Sequence, residues 1–128
     1  MSEVNLYPIP ARTARVSVLG DRTSGYVLAT ANTVDSAILN ANADTVNVVA
    51  PGDLADATNP NYGTVNDALR NALIAKSGNL YGSPGNHDYL AGGSIAAWKT
   101  YFGRTVTYFT QAFGEMEVFF YDTNDTHA

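Results

Sequence analysis

Two short stretches carry the residues of this chain best suited to chemistry: Gly52-Asp53-Leu54-Ala55-Asp56 and Gly85-Asn86-His87-Asp88. The second sets an amide, an imidazole and a carboxylate side by side directly after Pro84-Gly85, in a chain with only two histidines. An earlier Gly20-Asp21 repeats the glycine-aspartate pair. Carboxylates and amide carbonyls are hard oxygen donors that suit Mn, Mg or Fe, and Zn where imidazoles join them. An aspartate set between two such ions can bridge them about 3.5–4 Å apart, the arrangement used for in-line displacement at phosphorus. The glycines permit tight turns and close approach of backbone to an ion or phosphate. Gly, Asn and Asp are also the favoured turn residues, so these letters need an architecture that brings the stretches together.

The surrounding pattern supplies one. Residues 14–19 read as a short strand running into Gly20-Asp21. Thr33 to Ala43 carries Val34, Ala37, Ile38 and Ala41 at helical spacing behind a Thr33 or Asn32 cap. The β-branched run 45–50 ends in Pro51-Gly52-Asp53 and predicts a second strand. After loop chemistry at residues 59–63, the spacing predicts a helix over 64–75 with Val65, Ala68, Leu69, Ala72 and Leu73 on one face. Residues 78–82 form a short apolar segment that ends at the Gly85-Asn86-His87-Asp88 turn. A third helix is expected over 94–102, with Ile95, Trp98 and Phe102 at core spacing and Gly103 as its C-cap. Residues 105–109 and 116–121 read as a hairpin around Phe113-Gly114-Glu115.

Strands alternating with helices predict an α/β fold, a mixed sheet with a parallel β-α-β-α-β start and a C-terminal hairpin. In such sheets ligands sit beyond the carboxyl ends of the strands, where all three candidate stretches fall.

In this order and context, Gly52-Asp53-Leu54-Ala55-Asp56 and Gly85-Asn86-His87-Asp88 resemble the GDxxD and GNHD motifs of the calcineurin-like metallophosphoesterases. The ending Val118 to Asn124 also looks like the family's strand after the hairpin. The resemblance covers about residues 14–124 and implies half of a two-sheet phosphoesterase sandwich. It implies hydrolysis of phosphate mono- or diesters with divalent metal ions (Mn, Fe, Zn or Mg), two in a complete site. By the same resemblance Asp53 is the bridging carboxylate, Asn86 a ligand of the second metal and Asp21 a ligand of the first. His87 is the proton donor to the leaving oxygen, oriented by Asp56 or Asp88, a role that suits an imidazole of unperturbed pKa near 6.5. The resemblance also implies a metal-bound hydroxide as the nucleophile, so neither Ser nor Cys is required.

The chain departs from the family pattern in two places. The usual Asp-x-His first motif is here Asp21-Arg22-Thr23, with a hydroxyl where an imidazole is expected. Asp56 could serve as a substitute oxygen ligand, or as a turn or helix cap. The family's later histidine motifs are absent, and the second histidine, His127, stands next to the last residue. Around the motifs, Tyr62 and Tyr89 could line a cleft or pack on the sheet end, and Arg22 could meet a phosphate or pair with Asp21.

Composition sets the outer bounds. A chain of 128 residues accommodates one sizeable core, read as an irregular segment over 1–13 followed by a partial domain over 14–128. The net charge of -5 with scattered Lys and Arg disfavours binding of a nucleic-acid backbone. No apolar run approaches the roughly 20 residues that span a bilayer, so a soluble protein without a membrane span is expected. The absence of cysteine excludes disulfides and a thiolate nucleophile. Low charge content with abundant Ala, Asn and Thr resembles extracellular or virion proteins. These features support an alternative reading, a catalytically silent structural or interaction module. Half a sandwich also exposes apolar sheet, so a protein partner or the remainder of a longer chain is expected to cover it near Phe109 and Phe119.

Overall fold

A computed structural model describes residues 16–19, 33, 35–37, 39–40, 44, 46–55, 61–89 and 94–124. The irregular segment expected over 1–13 lies outside them, as do Asp21, Arg22, Thr23, Asp56 and His127.

Strands β1 (Val16–Val18), β2 (Asn47–Pro51) and β3 (Asn79–Ser83) form a parallel sheet in the order β1-β2-β3. The central strand, β2, is buried on both faces at Val48, Val49 and Ala50, which explains its unbroken apolar run. Helical residues at 33, 35–37 and 39–40 precede β2, within the helix expected there.

Helix α1 (Tyr62–Ile74) connects β2 to β3. The Asn61 side chain caps it, Oδ1 accepting from Thr64 N at 3.1 Å. Its buried stripe is Tyr62, Val65, Asn66, Leu69 and Leu73, whereas Ala68 is exposed. The buried face is thus rotated from the expected one toward Tyr62 and Asn66, two polar residues that an apolar pattern passes over. A short helix α2 (Asn86–Tyr89) holds the second motif. Helix α3 (Ile95–Phe102) starts at the Ser94 N-cap and ends at Gly103 in the left-handed conformation, the expected C-cap.

The hairpin of β4 (Phe109–Phe113) and β5 (Met116–Phe120) forms a separate antiparallel sheet. Its first strand lies four residues later than expected, because the two-residue Gly114-Glu115 turn pairs Phe113 directly with Met116.

Side-chain alternation along the parallel strands creates two cores. Val48, Ala50 and Leu80 face the helices with Leu54, Tyr62, Leu69, Leu73 and Trp98. On the other face, Val49 and Tyr81 meet Phe113 and Phe120 of the hairpin. Tyr81 packs edge-on against Phe113 at 5.1 Å between ring centroids. The architecture is α/β, with helices on one face of a parallel sheet and a hairpin on the other.

Candidate active site

The two motifs leave neighbouring strands at the same edge. Pro51 pairs with Ser83 at the end of the β2–β3 ladder, and Gly52 N donates to Ser83 O at 2.9 Å. Both chains turn sharply there. Gly52 has φ 85° and Asp53 has φ 52°, a conformation that aspartate tolerates better than most residues. Backbone in this sparsely populated region is over-represented at functional sites.

The turns then pack backbone to backbone. A Cβ at Gly85 would stand 2.5 Å from Asp53 N and clash with Asp53 Oδ1, so only glycine fits. The approach lets His87 N donate to Asp53 Oδ1 at 3.0 Å. Asp53, Asn86 and His87 therefore belong to one edge of the fold, as their sequence positions predict. Asn86 is exposed and His87 half-buried, while Nδ1 of His87 is buried and makes no hydrogen bond among the described residues.

Asp88 has a different place from the one the resemblance implies. It is fully buried, and its oxygens accept from Tyr62 Oη (2.7 Å), Gly85 N (2.7 Å) and Leu54 N (3.4 Å). It makes no hydrogen bond to the His87 ring, so the orienting contact expected of it is not formed. Its carboxylate instead spans both motif turns and the start of α1. Burial pushes the Asp88 pKa up; the Gly85, Tyr62 and Leu54 hydrogen bonds pull it down, and the nearby Asp53 charge adds to the rise. Burial, followed by the hydrogen bond to Asp88, raises the Tyr62 hydroxyl.

The Tyr89 hydroxyl bonds to Asp122, just past β5. Asp122 is buried and also accepts from Asn124 N at 2.9 Å, the turn role its sequence position suggests.

Among the described residues no three His, Asp or Glu side chains converge as a metal-holding group. The described donors at this edge are the Asp53 carboxylate and the Asn86 amide, both hard oxygen types that suit Mg or Mn. Asp21 and Asp56, the other ligands the resemblance implies, lie outside the described residues.

Sequence reasoning passed over Asn66, and left Tyr62 undecided between lining a cleft and packing. The available signal was their position four residues apart in a helix whose other buried members are apolar. Comparison with known proteins returned no matching family model, curated protein or solved structure.

Proposed function

We propose that the chain is a metallophosphoesterase-like domain, half of a two-sheet sandwich, that hydrolyses phosphate mono- or diesters when further metal-binding motifs complete it. The observation that carries this reading is the contact between the turns, with His87 N bonded to Asp53 Oδ1 and Gly85 closed against the Asp53 backbone. Turn propensity explains each motif turn alone; it does not explain why two turns 34 residues apart meet through the very residues that could bind and protonate a phosphate ester.

Asp53 and Asn86 would hold divalent ions, with Asp21 and Asp56 completing the set. Such ions, when bound, supply Lewis acidity and an activated water. His87 would deliver a proton to the leaving oxygen, and the tie of its amide to Asp53 fixes where its ring can reach.

The test is the metal content of the chain. Uptake of Mn or Zn is expected, weakened in Asp53→Asn and kept in His87→Ala, since His87 is assigned proton delivery and not metal binding. A wild-type chain that takes up neither Mn nor Zn would overturn the reading. That result would favour a catalytically silent interaction module, which draws on the exposed aromatic side of the hairpin at Tyr108, Phe119 and Tyr121.

A further inference from the structure

Beneath the two turns lies a closed circuit of buried hydrogen bonds. Tyr62 Oη donates to Asp88 Oδ1 at 2.7 Å, and the other carboxylate oxygen accepts from Leu54 N at 3.4 Å. Leu54 O accepts from Asn66 Nδ2 at 2.9 Å, and the same amide nitrogen donates to Tyr62 O at 3.0 Å. The loop is closed: Tyr62, Asp88, Leu54, Asn66 and Tyr62 again. Gly85 N joins it at Asp88 Oδ2, 2.7 Å away. Tyr62 is 4% exposed, and Leu54, Asn66 and Asp88 are 0% exposed.

Three polar side chains in a core are a poor choice for stability alone, since apolar residues of similar shape would bury the same surface without desolvating polar atoms. What a fully satisfied network does supply is a unique geometry. Here it connects three separate pieces of chain, each by a directional bond. Leu54 immediately follows Asp53, and Asp88 immediately follows His87. The circuit therefore holds the residue next to each candidate site group, from a single helix.

We propose that Tyr62 and Asn66 are positioning residues that act through Asp88 and Leu54 to set the separation of Asp53 and His87. The catalytic meaning of this rests on the phosphoesterase reading; the mechanical claim does not. The His87 amide, which donates to Asp53 Oδ1, reports directly on that separation.

The experiment is amide hydrogen exchange by NMR on the whole chain, comparing wild type, Tyr62→Phe and Asn66→Ala. Leu73→Val serves as the control for general loss of stability, since Leu73 is fully buried in the helix-side core outside the circuit. In Tyr62→Phe the His87 and Gly85 amides are expected to exchange about tenfold faster or more, while the β2–β3 amides change no more than in Leu73→Val. Asn66→Ala should give the same local pattern, and it carries the test should Tyr62→Phe not fold. If His87 and Gly85 lose protection only in step with the sheet, as a purely structural role requires, the proposal is overturned. Mn or Zn uptake by wild type is scored separately. The local exchange pattern without uptake leaves positioning standing and removes the phosphoesterase reading; uptake without the local pattern does the reverse.

Discussion

Asp88 shows how a carboxyl inside a motif can serve the fold and the site together. Because burial raises its pKa in the folded chain, the native state binds more protons than the unfolded state between the ordinary aspartate value, near 4, and the raised one. Stability should therefore fall as pH rises through that window and level off above it. Asp88→Asn removes this component, so denaturation midpoints measured from pH 3 to 8 should fall less steeply in the variant than in wild type. In the variant the amide oxygen can accept from Gly85 and Leu54 N–H only with its NH2 set against Tyr62 Oη, which loses the carboxylate it donates to. Its stability at pH 7 should consequently drop by about 1–3 kcal/mol, measured by urea unfolding. Tyr101 shows the same kind of coupling away from the motifs. Its hydroxyl donates to Asp67 at 2.8 Å, and burial, with that hydrogen bond, pushes its pKa up to about 12.

At the scale of elements, the two glycine turns are the parts least tolerant of change. Gly85→Ala must push residue 85 away from Asp53, breaking the hydrogen bond from the His87 amide to Asp53 Oδ1. A loss of about 1–3 kcal/mol is expected by denaturant titration, with the Asp53 and His87 amide resonances shifted. The turns were legible in the sequence because each follows a short run that the alternation of strands and helices places as a strand. The same holds for α3, whose Ser94 and Gly103 caps bracket an apolar stripe. Two features were hidden. The start of α1 reads as a loop, since Pro60, Asn61 and Gly63 are turn residues, yet Asn61 works there as a helix cap. Its buried polar face was hidden because hydrophobic periodicity counts Tyr62 and Asn66 against burial, whereas the partners that satisfy them, Asp88 and Leu54 O, come from elsewhere in the chain. The start of β4 was misplaced because residues 105–108 have strand-like composition, while register is set by the turn at Gly114.

At the scale of the whole molecule, β2 is covered on both faces while Val18 of β1 is exposed, and the hairpin turns one aromatic side outward. Phe119, 74% exposed, stands opposite Thr110 on that side. Phe119→Thr should leave stability within about 0.5 kcal/mol, measured by urea unfolding. No helix among the described residues is long and apolar enough to cross a membrane. The division into two cores also bears on how unfolding is observed. The chain has one tryptophan, Trp98, and it lies in the helix-side cluster; the hairpin-side cluster is built from Val49, Phe113 and Phe120 with Tyr81 against them. The hairpin closes over a two-residue turn, whereas Asn47 must find Asn79 across 32 positions of chain, so the two sheets form at very different speeds. Indole emission would follow the slow parallel sheet and miss undocking of the hairpin.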